Sequence, residues 1–586
     1  MVNDNEEKLE RMRHSASHVL AQAVLKLYPD TKLGIGPAIE NGFYYDFEFS
    51  QPIEEKDLKP IEDEMKKIIK RKLPITQVFM KRNDAIKYLK DIGQEYKLEL
   101  LEEIPDKELS FFITGQQEFA DLCRGPHVAN TGEIGAIKLI KTAGAYWKGD
   151  ENRKMLTRIY GAAFETKAEL KKYLEDLESA EKYNHRTLGK QLKLFAIIPE
   201  IGQGLPVWLP RGYTMRRILE NYMFDLERAH GYQHILTPHI VREELFKISG
   251  HLNFYKDSMY APIKVDEENY YLKPMNCPEG MMVYKMETRS YRDLPLKLGE
   301  FGTVYRYEKT GELHGLQRVR GFTQNDAHIY CTQEQLESVI NETLDLLDIF
   351  YKDIGFTNYR FRLSLSDREK NPDKYAGDIE KWQFAEEILR KALTDRKVEF
   401  EEMPGDAAFY GPKIDIQAVN VYGKEDSIST LQLDFNLPEK FNIKYVDADG
   451  QEKQPFVIHR ALIGSFERFF AFLIEHFAGD FPLWIAPDQV TIIPISDKHI
   501  KYAKEIYELL NQSGIRVSLD DRTKSMQSKI RDAEKLKIPY LAIVGDKEIE
   551  TETVSIRSRL NKEIGLMKKQ EFLDYLLEEI RLKKHK

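Results

Sequence analysis

Residues 321–331 read GFTQNDAHIYC, and this stretch limits the possible folds more than any other in the chain. As a strand, its period of two puts Phe322, Gln324, Asp326 and His328 on one face and Thr323, Asn325, Ala327 and Ile329 on the other. A face made of a ring, an amide, a carboxylate and an imidazole is costly to bury against an apolar core, so it is expected to line a polar cleft. A hydrogen-bonded structural strand is the alternative. The neighbouring segments favour the cleft. EFGTVYRYEKTGELHGLQRVRGF sets Arg306 and Glu308 on one face of a preceding strand, followed by a Gly-containing turn and a return to Phe322. An arginine forks onto a phosphate or carboxylate while an acid accepts an amine, a pairing suited to an acyl phosphate. HRALIGSFERFF reads as a helix start carrying Arg468, and KPMNCPEG supplies Cys277 in a Pro-bounded loop.

The chain has 586 residues, 42% hydrophobic and 31% charged, enough to bury several cores. Residues 1–165 alternate helix-like and strand-like stretches. Residues 166–185 read as a linker helix, with Leu170, Tyr173, Leu174 and Leu177 at helical spacing. The largest unit, 186–482, is expected to be an antiparallel sheet flanked by helices. From 483 to 586 strands alternate with helices, as in a small α/β domain with a largely parallel sheet. No apolar run approaches the ~18–20 residues of a membrane span, and the charged start MVNDNEEKLERMRH lacks the core of a signal peptide, so no membrane partner is expected. Three cysteines, Cys123, Cys277 and Cys331, are too few for a disulfide framework and fit a reducing, cytoplasmic location. The net charge of −9 neither supports nor excludes a nucleic-acid partner.

Arg306-Tyr307-Glu308, the turn and Gly321-Phe322 resemble the second signature motif of class II aminoacyl-tRNA synthetases; Gly464, Glu467 and Arg468 resemble the third, and Pro238 after GYQHILT the first. The strings KPMNCP, RVRGFTQNDAHI, FYGPKI, LQLDF and IHRALIGS, in this order, are similar to the threonyl-tRNA synthetase family in particular. The resemblance implies α/β and α+β multidomain architecture: a class II antiparallel sheet with flanking helices, an N-terminal α+β editing domain and a C-terminal α/β anticodon-binding domain. It also implies that Arg306 holds the amino-acid carboxylate and α-phosphate, beside Glu308, that Phe322 stacks on adenine and that Arg468 meets the γ-phosphate. Met275, Gln324, Asp326, Ala408, Tyr410, Lys413 and Gln432 fall on the family's substrate pocket.

Cys277, His328 and His459 fall on the family's zinc ligands. One thiolate and two imidazoles suit zinc and leave a position open for substrate, whereas a structural site normally uses four ligands. Their separations carry no compact metal-binding pattern, and without the family they read as a buried cysteine and satisfied histidines. An open zinc that takes the amino and hydroxyl groups of threonine would reject valine, which an apolar pocket separates poorly. Glu279-Gly280 departs from the family, which often has histidine at the second place.

Serine keeps the hydroxyl and lacks only a methyl, worth about 1–3 kcal/mol of discrimination, so a separate hydrolytic site is expected. His14 and His18, four apart on one helix face, together with Asp121, Cys123 and His127 in FADLCRGPHV, resemble the editing domain of threonyl- and alanyl-tRNA synthetases. These are zinc-ligand types, but the threonyl branch implies a metal-free site in which a positioned water attacks the ester. Lys97 matches a lysine of that site and Tyr45 is a further carry-over. Many members begin with a further small domain, which this chain is expected to lack. At the other end Glu548 and Arg557 fall on anticodon-contacting positions, whereas Gln527 stands where a glycine is usual, leaving the contacts of Lys524 to Lys529 open. The implied partners are tRNA(Thr), ATP with magnesium, threonine and a second copy in a homodimer. The alternative is a synthetase-like RNA-binding regulator without ligase activity.

Overall fold

Met12, Ala16, Val19, Leu20, Ala23 and Val24 recur three or four residues apart, and this stripe makes the helix α1 (Asp4–Leu27) amphipathic. It buries the stripe, with α2 (Glu55–Lys70), against Phe43, Tyr45 and Phe47 of β1 (Gly42–Glu48). Each Val, Leu, Met or Phe among them contributes about 1.5–3 kcal/mol when fully buried. The structure is a computed structural model and describes residues 4–150, 152–371, 374, 375, 378–559 and 563–585. The chain divides into two compact units, Met1–Ser179 and Ala180–Lys586.

In the first unit a second sheet joins β2 (Ile75–Lys81), β3 (Glu108–Thr114) and β4 (Phe119–Leu122) in that order, all antiparallel. β5 (Ala136–Tyr146) and β6 (Met155–Phe164) extend the sheet begun by β1. Lys97 comes from α3 (Glu95–Glu103). The helix α4 (Lys167–Tyr183), expected from its leucine spacing, runs across the division between the units.

The second unit is built on an eight-stranded sheet. Its strands are β7 (Gln233–His234), β8 (Leu296–Tyr305), β9 (Gly321–Cys331), β10 (Tyr359–Leu365), β11 (Phe400–Pro404), β12 (Lys413–Val419), β13 (Glu425–Asp434) and β14 (Phe456–Ser465). Their spatial order is β7-β8-β9-β14-β13-β12-β10-β11, antiparallel except for the two edge pairings. Ala327, Ile329, Leu431 and Ile458 share a core with Leu344, Leu347 and Phe350 of α7 (Leu336–Ile354) and with Phe469, Phe470 and Leu473 of α9 (Phe466–His476). The helices α5 (Pro210–Ala229) and α8 (Ile379–Asp395) add to it through Leu219 and Leu389. Strand alternation then leaves Gln324, Asp326 and His328 on the opposite face.

Between Gln324 and Asp326 the pairing with β14 shifts, from Ser465 to Ala461. Gly464 makes this bulge possible. Its φ is +63°, and a Cβ there would sit 2.5 Å from the Ile428 carbonyl oxygen.

Three readings need correction. β8 ends at Tyr305, so Arg306 and Glu308 leave the strand instead of sharing a face of it. Cys277 is not in a loop but opens the helix α6 (Cys277–Lys285), with Pro278 in its first turn, where a missing N–H costs nothing. The C-terminal sheet is only partly parallel. Its strands are β15 (Val490–Pro494), β16 (Val517–Leu519), β17 (Tyr540–Val544), β18 (Thr553–Ser558) and β19 (Gly565–Lys568). β16 and β17 run parallel to β15, but β18 and β19 add antiparallel. The helices α10 (Ile500–Gln512), α11 (Met526–Lys535) and α13 (Lys569–Arg581) follow the expected alternation, with a short helix α12 (Asp546–Glu550) between β17 and β18.

Candidate functional site

His328 on β9 and His459 on β14 stand opposite one another in register, with ring centroids 4.7 Å apart. The first turn of α6 brings Cys277 to them, so that one ligand atom from each lies within 4.8 Å of the others. All three residues are buried, yet His328 Nε2 and His459 Nδ1 have no hydrogen-bond partner among the described residues. Buried lone pairs without partners are rare, and these converge with a thiol as the ligands of a three-coordinate protein site for zinc do. The donor set therefore fits the metal. The other nitrogen of His459, Nε2, lies 2.8 Å from Asp434 Oδ2, while Asp434 Oδ1 accepts the backbone N–H groups of Asn436 and Leu437 at 2.8 and 3.0 Å. A carboxylate held in this way orients the ring and selects the nitrogen that faces the cluster. Sequence reading missed Asp434, although it lies two residues beyond Gln432 and so on the same face of β13.

A cleft of about 360 Å³ opens beside the cluster, and Cys277 and His459 line it. Phe322, Gln324 and Asp326 enter it from β9, as the alternation expects. Met275, Ala408, Tyr410, Lys413 and Gln432 reach it from other segments. So do Arg306, Glu308 and Arg468. His328 does not line the cleft and belongs to the cluster alone. Several of these groups are held by neighbours. Asn276 Nδ2 donates to Asp326 Oδ2 at 3.1 Å, Gln432 Nε2 to the Gly411 carbonyl at 3.1 Å, and Asn436 Nδ2 to the Tyr410 carbonyl at 2.8 Å.

Arg306 Nε donates to the Pro274 carbonyl at 3.2 Å, and its guanidinium lies 5.0 Å from the centroid of Phe322. Arg468, in the first turn of α9, donates to the carbonyls of Gln317 and Ser427 at 3.1 and 3.2 Å. Burial lowers its pKa, an effect that Asp426 opposes. Asp415, also missed, is buried in the wall of the cleft, paired with Lys413 and bonded to Ser364 Oγ at 2.8 Å and Thr430 Oγ1 at 2.9 Å. The spacing of Lys413 and Asp415, two apart on one strand face, was a usable signal. Gln317 and Arg318 come from the turn before β9, where no periodicity marks them.

At Gly280 a Cβ would lie 3.1 Å from His328 Nδ1, so a larger residue is accommodated only if the ring gives by a few tenths of an ångström. Glu279 is buried, with neither carboxylate oxygen partnered among the described residues, and burial pushes its carboxyl up to about 8.

A second polar cluster lies within the first unit. His14 Nε2 and His127 Nε2 each lie 3.3 Å from Cys123 Sγ, and the His18 ring centroid is 4.2 Å from that of His127. Burial holds all three imidazoles below their usual pKa and pushes the Cys123 thiol up to about 11, so the histidines are neutral and the thiol is protonated near pH 7. Asp121 anchors the floor: its carboxylate accepts from Tyr45 Oη at 2.5 Å and pairs with Lys97 Nζ at 2.6 Å. Lys97 is 4% exposed, so it is no solvated surface charge. Ligand atoms of His14, His18, Cys123 and His127 lie within 4.8 Å of one another, close enough to hold a cation.

In the C-terminal domain Arg557 sits half-buried on β18, opposite Leu541. Glu548 is buried, and its carboxylate accepts the Gly545 N–H at 2.8 Å, capping its own short helix. Lys529 is also buried, donating to the Pro494 carbonyl at 3.2 Å, and Lys524 pairs with Asp532.

Residues 112–160 match the threonyl and alanyl tRNA synthetase second additional domain, 260–477 the tRNA synthetase class II core domain (G, H, P, S and T), and 489–579 an anticodon binding domain. Over 579 residues the chain is 47% identical to the threonine–tRNA ligase of Halalkalibacterium halodurans, covering 98% of this chain and 90% of that one. The chain belongs to the threonine–tRNA ligase family. The Aquifex aeolicus threonine–tRNA ligase is also 47% identical, over 582 residues, 99% of this chain and 90% of its own. Among solved structures, the RNA-binding domain of threonyl-tRNA synthetase from Cryptosporidium parvum Iowa II superposes with a TM-score of 0.64 at 36% identity, covering 67% of this chain and 98% of that one. The family's fold accounts for the antiparallel core sheet with flanking helices, the α+β editing domain and the α/β anticodon-binding domain. Among the described residues no helix is long and apolar enough to cross a membrane.

Proposed function

We propose that this chain activates threonine with ATP to threonyl-adenylate, transfers it to tRNA(Thr), and hydrolyses seryl-tRNA(Thr) at a separate site. The observation that carries this reading is the meeting, around one cleft, of two part-buried arginines with a cluster of three residues that could hold a metal: Arg306 and Arg468 beside Cys277 and His459. The threonine carboxylate attacks the α-phosphorus of ATP and pyrophosphate leaves. A ribose hydroxyl of the tRNA end then displaces AMP from the adenylate. Arg306 binds the carboxylate and α-phosphate, Phe322 stacks on adenine, and Arg468 takes the γ-phosphate, with Glu308 beside the magnesium-bound nucleotide. Gln324, Asp326, Tyr410, Lys413 and Gln432 surround the amino acid, with Met275 and Ala408 at its edge.

Cys277, His328 and His459 hold zinc in this reading, with Asp434 orienting His459. When bound, zinc supplies a Lewis acid for the amino and hydroxyl groups of threonine, which valine cannot match. Residues 1–165 form the editing domain, 166–185 the linker, 186–482 the catalytic domain and 483–586 the anticodon-binding domain. A second copy of the chain is inferred from the motif-one resemblance around Pro238, where the neighbouring Leu236 and Ile240 are 80% and 46% exposed. The unpaired cysteines suit work in the reducing cytoplasm. Threonine-dependent exchange of pyrophosphate into ATP tests the ligase reading. Its absence would leave the alternative, a regulator that binds RNA without ligation.

The editing cluster is read as metal-free, with neutral imidazoles activating a water on the seryl ester while Lys97 and Asp121 position the substrate. Cys123→Ala is expected to leave threonylation unchanged and to slow hydrolysis of preformed seryl-tRNA(Thr) by about 100-fold or more. Hydrolysis of that ester by the mutant at the wild-type rate would sink this assignment.

For the anticodon, Arg557, half-buried on β18, and Glu548, which caps its own helix, are read as base contacts from the family resemblance. Arg557→Ala should weaken tRNA charging by about 1–3 kcal/mol, or 5- to 150-fold, by analogy with loss of one bidentate base contact. Pyrophosphate exchange without tRNA should stay intact. Equal losses in both assays would assign Arg557 to the fold instead.

A further inference from the structure

Ser15 stands on α1 between the editing histidines, is fully buried, and touches three groups. Its Oγ lies 2.8 Å from the Arg11 carbonyl oxygen, 3.0 Å from the Val128 N–H nitrogen, and 3.1 Å from His127 Nδ1. A hydroxyl has one proton to give and two lone pairs to receive with. The Arg11 carbonyl can only accept, so the proton of Ser15 lies on that line. The Val128 N–H can only donate, so it occupies one lone pair. The remaining lone pair faces His127 Nδ1, and the contact is favourable only if Nδ1 carries a hydrogen.

We propose that Ser15 is a positioning residue of the editing reaction: it fixes His127 as the Nδ1–H tautomer, leaving the Nε2 lone pair as the base. This rests on the editing reading above. Nε2 is also the nitrogen that faces the reactive side of the cluster, 3.3 Å from Cys123 Sγ. A protonated thiol has a single S–H to donate, and Nε2 is a fitting acceptor for it when no substrate is present. In hydrolysis the oxygen of a water bonds to the seryl carbonyl carbon while His127 Nε2 takes its proton. The ester C–O bond then breaks and the same proton passes to the leaving ribose oxygen. No further reactant is needed.

The chain of donors gives Ser15 a role that alanine, the better helix former, could not fill. Alanine would leave the Val128 N–H and Nδ1–H without the acceptor that Ser15 supplies, and the ring would be free to take the other tautomer. Ser15 and the three groups it touches all lie in the first compact unit.

The test uses the full-length protein labelled with ¹⁵N in histidine only, with the His127 ring signals assigned as those absent from His127→Gln. Protonated Nδ1 and bare Nε2 are expected in the wild type, and Ser15→Ala should show a mixture or the reverse. Seryl-tRNA(Thr) hydrolysis by Ser15→Ala is expected to fall about 10-fold or more, with threonine-dependent pyrophosphate exchange unchanged. Ser15→Thr, which keeps the hydroxyl, should retain the wild-type tautomer. A wild-type His127 protonated on Nε2, or wild-type hydrolysis by Ser15→Ala, would overturn the inference. Wild-type protein that cannot cleave the seryl ester would instead remove the editing reading itself, and the ring spectrum would still decide the tautomer.

Discussion

Purified protein will carry about one zinc per chain, and Cys277→Ala or His459→Ala will abolish both the metal and threonine activation. The expectation rests on two buried imidazole nitrogens that meet a thiol and have no hydrogen-bond partner among the described residues. Three ligands are all the cluster offers, so losing one leaves a site too weak to keep its metal at ordinary concentrations. The threonine-over-valine preference, roughly 10⁴ to 10⁵ for a site built to bind a substrate's polar group, should collapse with it. Metal content by atomic absorption and threonine-dependent pyrophosphate exchange are the two measurements. Seryl-tRNA hydrolysis serves as the folding control, because its residues lie in the other compact unit. A metal-free preparation with full threonine activity would end the zinc assignment.

The second large effect concerns the arginines of the cleft. Arg468→Ala or Arg306→Ala should lower adenylate formation by about 10² to 10³, the 3–4 kcal/mol typical of removing one preorganised donor from developing charge. Arg468 is held by the carbonyls of Gln317 and Ser427, and Arg306 by that of Pro274, so each cation is in place before substrate arrives. Lysine at either position restores charge but not the planar fork, and should recover only part of the rate. Single-turnover adenylate formation separates this from product release. Near-normal rates in either alanine variant would mean that the guanidinium does not meet the phosphates.

Much of the site was legible because it is written in local periods. The alternation of 321–331 assigned Phe322, Gln324 and Asp326 to one face, and all three line the cleft. The four-residue spacing of His14 and His18 placed both on one face of a helix, and they do share the second cluster. The failures occur where an element ends. Arg306 and Glu308 were read as a strand pair, but β8 stops one residue earlier, since the chain must turn there towards β9. Cys277 was read as part of a loop because Pro274 and Pro278 bracket it, yet proline is well tolerated in the first turn of a helix. The antiparallel β18 and β19 escaped because strand alternation says which residues are buried and not which way the neighbouring strand runs.

Sequence by itself determined the types of elements, the polar face of β9, and, through family strings spread over the whole chain, the chemistry to look for. Periodicity and residue resemblance are properties of short segments, and they survive without knowledge of neighbours. Only the tertiary structure decided that His459 Nε2 is taken by Asp434 while Nδ1 is left without a hydrogen-bond partner among the described residues. It also decided that Lys97 is buried on Asp121 and that Ser15 Oγ lies 3.1 Å from His127 Nδ1. Each of these depends on which group from a distant part of the chain fills a single remaining donor or acceptor position. Hydrogen-bond valence is satisfied across space, within about 3 Å, and no spacing along the chain records it.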